Sequence, residues 1–161
     1  IVHIFNHALA KGALFLAVAL FATVAAGLRL DDLKGIARRM PWTFGAFVIA
    51  ALSLIGIPGT AGYVSTWYLI GAAMDLGAAG LPLVAVILVS SLMAVVYVWR
   101  IVEAACFGEA NDETRSPANV PPLLVAVLWL AAAANIYFGL NPDLPLSLSG
   151  DAAAELLDHL P

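Results

Sequence analysis

Runs of about 20 apolar residues dominate this sequence and limit its fold more than any other feature. An α-helix of that length crosses the hydrocarbon core of a bilayer, which is about 30 Å thick. The composition agrees, because 63% of the 161 residues are hydrophobic and only 11% are charged. A soluble domain carries about 25% charged residues, and a soluble chain of this composition would expose large apolar patches. The sequence therefore predicts an all-α integral membrane protein.

Four hydrophobic segments predict four transmembrane helices, at about 1–27, 42–75, 81–107 and 121–140. The second segment is interrupted by GIPGTAG (56–62), and we expect a broken helix there because the proline removes a backbone donor and the glycines loosen the helix. Residues 1–140 form the predicted transmembrane part, and residues 141–161 an extracytoplasmic acidic tail with a short surface helix. Since the chain opens with Ile1 inside an apolar run, we interpret it as the C-terminal fragment of a longer protein.

The basic residues predict which connections face the cytoplasm. The connection LRLDDLKGIARRMP (28–41) is rich in Lys and Arg, and the loop 108–120 contains Arg115. The connection near 75–81 and the tail contain neither Lys nor Arg. The positive-inside rule then places 28–41 and 108–120 in the cytoplasm of a bacterial-type inner (plasma) membrane, with the C-terminus outside.

Three ionisable side chains lie within the first apolar segment, in HIFNHALAK (3–11). His3, His7 and Lys11 are spaced four apart, so they share one helix face over about 12 Å. Lys11 precedes the apolar run 12–27, which is too long for its ammonium to reach the inner surface, and charges at such depth normally face a polar interior. Histidine titrates near neutrality. The row predicts a proton relay; the alternative is that these groups only hold neighbouring helices together.

Polar residues also accompany the break. A break within the membrane frees backbone groups that protein or water must satisfy, so such breaks usually line a cavity. Pro58 and Gly59 lie in the break, and the hydroxyls of Tyr63, Ser65 and Thr66 follow it and could order water. A kink that serves packing alone is the other interpretation, and the residues leave both open.

The remaining polar residues predict no covalent chemistry. Arg100 and Glu103 are three apart near the inner end of the third segment and predict an ordinary surface ion pair. Ser90 and Ser91 are expected to bond to their own helix or to aid close packing. The sequence has no phosphate-binding loop, nucleophile motif or basic nucleic-acid patch, and too few ligands to accompany the two histidines in a metal site. We therefore expect no catalytic residue, metal, cofactor or nucleic-acid partner for this chain.

Several stretches resemble a known family of membrane proteins. HIFNHALAKGALFL, LKGIARRMP and LSLIGIPGTAGYVSTWYLI resemble the antiporter-like subunits shared by respiratory complex I and Mrp-type Na⁺/H⁺ antiporters, and VVYVWRIVEAACF adds a resemblance to the D-type Mrp protein. The similarity covers about the first 107 residues. It implies that this segment corresponds to the last four of about fourteen transmembrane helices. It also implies that His3, His7 and Lys11 belong to a hydrated proton path, with other membrane subunits as partners and protons, with Na⁺ as a candidate, as the transported ions.

One position departs from the family pattern. Relatives commonly have a lysine or glutamate, a terminal proton site, where this sequence has Thr66 within GYVSTWYL. Threonine cannot exchange a proton near neutral pH. Either water ordered by Thr66, Ser65 and Tyr63 replaces that site, or another residue has taken its role, or this half-channel does not conduct.

Two functions follow from these features. The first is a proton-translocating subunit of an Mrp-type monovalent cation/proton antiporter or of a complex-I-like NADH-quinone oxidoreductase. The second is a non-conducting subunit that scaffolds such a complex. In either case the chain has no catalytic site, and it belongs to an enzyme only if its complex includes a redox arm.

Overall fold

The computed structural model describes residues 1–25, 27, 29–108 and 120–158, and α-helices account for most of them. In chain order these helices are α1 (Val2–Ala22), α2 (Ile36–Arg39), α3 (Pro41–Ile55), α4 (Ala61–Met74), α5 (Leu81–Phe107), α6 (Pro122–Leu140) and α7 (Asp143–Asp158). Three stretches are long and apolar enough to cross a membrane: Val2–Ala22, Gly77–Phe107 and Pro122–Leu140. The predicted all-α membrane class is confirmed.

The predicted segments coincide with helices, with one adjustment at the end of the first. Helix α1 ends at Ala22 rather than near residue 27, and the Thr23 hydroxyl donates a hydrogen bond to the Leu20 carbonyl oxygen at 2.7 Å. A hydroxyl bonded to the last turn competes with continued helix. Residues 109–119, which include Arg115 and most of the predicted second cytoplasmic loop, lie outside the described residues.

The predicted break lies between α3 and α4. Two glycines with φ angles of +91° (Gly56) and +88° (Gly59) turn the chain there, a conformation that side chains with a Cβ rarely adopt. The flanking helices have 15 and 14 residues, so each is about 21–22 Å long and shorter than the hydrocarbon core. The broken helix is confirmed, whereas a count of four crossings stays a prediction.

Protein groups close the break on both of its sides. The Gly56 N–H donates to the Leu52 carbonyl oxygen at 3.1 Å, and the Gly62 N–H donates to Ser53 Oγ at 3.1 Å. Helix α6 covers the turn at Gly139, where a Cβ would collide with the backbone of the turn. The break is therefore a packed junction of three helices as well as an interruption of hydrogen bonding.

Small side chains bring the helices together. Alanines are buried on the facing sides of α1, α3 and α6, and small residues at such positions let helix backbones approach closely. The rings of Phe21, Phe44 and Phe47 meet near the inner end of this core, with centroids 5.7 to 6.5 Å apart. The buried alanines are Ala10, Ala13, Ala17, Ala46, Ala50, Ala51 and Ala132.

The connection 28–41 is held against the bundle. It contains a 3₁₀ turn at Leu30–Leu33 and the single-turn helix α2, and it buries Leu33, Ile36 and Met40. The Gly35 N–H donates to the carbonyl oxygen of Ala104 near the end of α5, at 3.3 Å. The expected short amphipathic helix in this connection is confirmed.

The acidic tail contains the helix expected for it. Helix α7 contacts α1 and α6, and its acidic side chains at Asp151, Glu155 and Asp158 are exposed. The tail is therefore a helix docked on the bundle with its carboxylates turned outward.

Candidate functional site

Two hydrogen bonds hold the first turns of α1 against α4. His3 Nδ1 lies 3.1 Å from Ser65 Oγ, and the Asn6 side-chain amide donates to the Ala61 carbonyl oxygen at 2.8 Å. Asn6 is fully buried and Ser65 is 1% exposed. The histidine row therefore starts beside the break, at the level where α4 begins.

The row faces an open cleft between α1, α4 and α5 with a volume of about 830 Å³. His3, His7 and Lys11 line it from α1, and Thr66 lines it from α4. The polar residues on the α5 side are Ser90, Ser91 and Tyr97, and the rest of the lining is apolar: Leu54, Leu69, Ala85, Val86, Ile87, Val89, Met93 and Ala94. The three predicted relay residues and the departing threonine thus share one space.

The two histidine rings are stacked. Their centroids are 5.4 Å apart and their planes are inclined by 29°. A hydrogen bond between two imidazoles needs the ring nitrogens to point at each other in the ring planes, which a stack does not provide. A proton that moves between His3 and His7 must therefore pass through water or follow a ring rotation.

Lys11 lies two turns further along α1 and is exposed to the cleft in the described chain. It has no hydrogen bond or ion pair among the described residues, and the cleft lining includes no carboxylate. Its ammonium, with the two imidazoles, therefore gives this wall of the cleft a positive potential whenever the groups are protonated.

The hydroxyls predicted to act together after the break are separated. Thr66 lines the cleft, close to Gly56 of the break, whereas Ser65 is turned towards α1. Tyr63 stacks on Trp67 with ring centroids 6.1 Å apart and is not part of the cleft lining. Pro58 is exposed on the turn. Of the hydroxyls expected to order water, only that of Thr66 is placed to contact water in the cleft.

The expected ion pair between Arg100 and Glu103 is not formed. Both side chains are exposed on α5, and the ion pair found among the described residues joins Lys34 Nζ to Asp31 Oδ1 at 2.8 Å. An exposed pair of long side chains gains at most about 1 kcal/mol, which does not outweigh the entropy of holding both in place. The prediction was wrong for this reason.

Sequence reasoning missed three contributors to this region. Asn6 lies within the run HIFNHALAK, where a lone amide in an apolar helix is a signal of a buried hydrogen bond and could have identified it. Ser53, fully buried, accepts the Gly62 N–H across the break. Tyr97 faces the cleft from α5, and nothing in the one-dimensional pattern relates it to residues more than eighty positions earlier.

The chemistry of the cleft is that of proton exchange. Imidazole and ammonium groups bind and release protons, and hydroxyls order water between them. Within the described ranges, no group of three or more His, Cys, Asp or Glu side chains is arranged to hold a metal ion.

Comparison with known proteins matches residues 1–94 to the family described as NADH:quinone oxidoreductase/Mrp antiporter, transmembrane part. The chain is 42% identical over 123 residues to NADH-quinone oxidoreductase subunit N of Desulforudis audaxviator, covering 76% of this chain and 24% of the relative. It is 35% identical over 133 residues to NADH-quinone oxidoreductase subunit N 1 of Koribacter versatilis, covering 78% and 25%. It is 25% identical over 144 residues to F(420)H(2) dehydrogenase subunit M of Methanosarcina mazei, covering 86% and 28%.

The chain thus spans about a quarter of the length of the curated relatives it matches. The family resemblance seen in the sequence is confirmed, and the family match includes the row on α1, the break and α4. The finer similarity to the D-type Mrp protein is not supported, because these relatives are N and M subunits of dehydrogenase complexes.

Proposed function

Because the chain belongs to the NADH:quinone oxidoreductase/Mrp antiporter transmembrane family, we propose that it is part of a proton-translocating membrane subunit of a complex-I-like assembly. The relatives named above favour a redox-linked complex over an Mrp-type antiporter. Other membrane subunits are then its partners, and redox cofactors are bound elsewhere in the complex rather than by this chain.

The placement of His3, His7 and Lys11 along one wall of a single cleft carries this proposal. Water in the cleft links the row, His3 and His7 pass protons, and Lys11 is the base that holds one. The three groups titrate as a coupled set, because protonation of one disfavours protonation of a neighbour one turn away. Arrival of a proton at one end of the row therefore promotes release at the other.

Protons suit this lining better than Na⁺. A bare sodium ion needs several oxygen ligands, and carboxylates are the usual source of both oxygen and charge. The cleft lining offers the hydroxyls of Thr66, Ser90, Ser91 and Tyr97 but no carboxylate, and it holds basic groups on the opposite wall. We therefore assign proton movement, and not sodium binding, to this cleft.

Accessibility to water tests the proposed path. Cysteines would be introduced singly at His7 and Thr66 in the full-length protein, with Cys106 replaced by Ala and any other reactive cysteine removed. Phe15, exposed on α1 but outside the cleft lining, serves as the matched lipid-facing position. A hydrated path predicts that a charged, water-soluble thiol reagent labels the cysteines at His7 and Thr66 much faster than the one at Phe15. Equal protection of all three would overturn the proposal.

Spectra of the purified complex distinguish the two kinds of assembly. Stoichiometric flavin and iron–sulfur signals would place the chain in a redox-driven complex. Their absence, with small membrane subunits co-purifying, would replace that part of the proposal by an Mrp-type antiporter.

The proposed orientation places the connection 28–41 in the cytoplasm and the C-terminal tail outside, in a bacterial-type inner membrane. Leu30 and Leu148 are both exposed and lie on these two segments. Cysteines placed at these two positions should react with an impermeant reagent from opposite sides of the membrane. Labelling of both from the same side would refute the arrangement.

Thr66 favours a second candidate, a non-conducting scaffold subunit. A neutral side chain stands where family members commonly carry a charge, and the stacked histidines form no direct proton bridge. This alternative expects Lys11→Ala to leave proton transport intact, and expects bulky substitutions at packing positions such as Ala17 to abolish the complex.

A further inference from the structure

The hydrogen bonds around Ser65 determine which nitrogen of His3 carries its proton. Ser65 Oγ lies 3.1 Å from two groups at once, the Gly62 carbonyl oxygen within α4 and His3 Nδ1 on α1. A serine hydroxyl has one proton to donate and lone pairs to accept. The two contacts must therefore share a single donated proton and one accepted proton.

Only one arrangement makes both contacts hydrogen bonds. A carbonyl oxygen is an acceptor in every state, so the Ser65 hydroxyl must donate to Gly62 and accept from His3 Nδ1–H. The opposite arrangement, with Ser65 donating to a bare Nδ1, leaves two oxygens 3.1 Å apart with no proton between them. That contact is repulsive in a site where Ser65 is 1% exposed and no water competes. Back-bonding of a helical serine to the carbonyl three residues earlier is also a common local geometry.

We infer that Ser65 is a positioning residue that fixes neutral His3 in the Nδ1–H form and leaves Nε2 as the nitrogen that binds and releases the relayed proton. The inference rests on the proposed function for the relay, but the tautomer itself is a structural property. Nδ1 keeps its proton and its bond to Ser65 whether His3 is neutral or charged. His3 can therefore load and unload a proton at Nε2 without loosening the contact between α1 and the broken helix.

The break supplies the support for this device. Gly62, whose carbonyl oxygen accepts from Ser65, donates its N–H to Ser53 Oγ at 3.1 Å across the break. A Cβ at Gly62 would collide with the Ser53 backbone, so glycine is required for this close approach. Helices α3, α4 and α1 are thus linked in series by Ser53, Gly62, Ser65 and His3.

Nitrogen NMR of the histidine rings tests the assignment. The full-length protein in its native complex would be labelled with ¹⁵N-histidine, and the His3 signals identified by their loss in His3→Asn. At a pH where His3 is neutral, we expect a protonated Nδ1 and an unprotonated Nε2. In Ser65→Ala, His3 loses its acceptor and should shift towards the Nε2–H form. An Nε2–H form in the native protein, or no change in Ser65→Ala, would overturn the inference.

Ser53→Ala is the matched control for the tautomer measurement. It removes a buried hydroxyl from the same junction without touching His3, so it should leave the His3 tautomer unchanged. If Ser65→Ala does not assemble, Ser65→Thr provides the second measurement, because it retains the hydroxyl and should retain the Nδ1–H form. A shift in Ser53→Ala as large as in Ser65→Ala would show general loosening and contradict a specific role for Ser65.

Replacement of His3 separates the structural bond from the relay. The Asn side chain places an amide N–H near the position of Nδ1 and lacks a counterpart of Nε2, so His3→Asn should assemble with Ser65 still bonded but lose proton transport at least tenfold. Full transport by His3→Asn would defeat the relay and the proposed role of Nε2 while leaving the measured tautomer standing. The wrong tautomer in a transporting protein would defeat only the inference about Ser65.

Discussion

The side-chain amide of Asn6 donates a hydrogen bond to the carbonyl oxygen of Ala61, the first residue of α4, at 2.8 Å. This contact and the one between His3 and Ser65 lie one turn apart on α1, so the start of the histidine row is held to the broken helix at two points. The register of the relay residues is therefore set by the helix that the break creates.

Loss of the Asn6 amide should weaken this junction. Asn6→Ala removes the bond to Ala61, and hydrogen bonds between membrane helices contribute about 1 kcal/mol. We expect a lower melting temperature of the purified complex and partial loss of proton transport. Asn135→Ala is the control, because Asn135 is equally buried but bonds within its own helix, to Ala131. Equal loss of transport in both variants would contradict the specific role of Asn6.

A methyl group at Gly139 should disturb the break from the side of α6. A Cβ there would collide with the backbone of Gly59 and Thr60, and overpacking of this kind costs about 1–3 kcal/mol. Thermal unfolding of the complex should show the destabilisation. Gly71→Ala, on α4 where the added methyl meets nothing within 4 Å, should be neutral. Tolerance of alanine at Gly139 would mean that α6 does not pack on the turn as described.

The hydroxyl of Thr66 should contribute to proton transport if it orders water in the cleft. Thr66→Val keeps the shape of the side chain and removes the hydroxyl, so we expect transport to fall severalfold with normal assembly. Thr43→Val, a buried position on α3 outside this cleft, controls for the loss of a hydroxyl elsewhere. Unchanged proton uptake by vesicles containing Thr66→Val would exclude Thr66 from the path.

The ion pair at the start of the connection 28–41 should have a small, acid-sensitive effect. The hydrogen bond and positive charge of Lys34 lower the pKa of the Asp31 carboxyl below its usual range. A depressed pKa stabilises the fold above the unfolded value, near 4, and the contribution disappears as the pH falls through the folded value. Both groups are exposed, so melting curves of Asp31→Asn should differ little from native at pH 7 and converge with it in acid. A large loss at neutral pH would contradict this.

The fold was largely predictable from the sequence, because hydrophobic length and the Pro58 and Gly59 signals act locally. The third and fourth helices and the break lie where the pattern placed them. The site was predictable only in part. Spacing of four along one helix sufficed to align His3 with Lys11, but the neighbours of that face come from α4 and α5, and their placement depends on tertiary packing.

The separation of Ser65 from Thr66 shows the same limit. Adjacent residues on a helix point about 100° apart, so one of them meets α1 and the other meets the cleft. A sequence pattern identifies a cluster of hydroxyls, but only the rotation of α4 relative to its neighbours decides which hydroxyl contacts which partner. The expected pair of Arg100 and Glu103 failed for a related reason, since proximity along a helix does not compensate for exposure.

Proton uptake by vesicles containing the purified complex with Lys11→Ala is the experiment on which the relay depends. Lys34→Ala is the matched control, because Lys34 is the other lysine of this chain and lies in the connection 28–41. Both variants should assemble in normal amount. We expect proton uptake to fall at least tenfold in Lys11→Ala and to remain near native in Lys34→Ala. Native uptake by a fully assembled Lys11→Ala complex would contradict the relay and favour the scaffold.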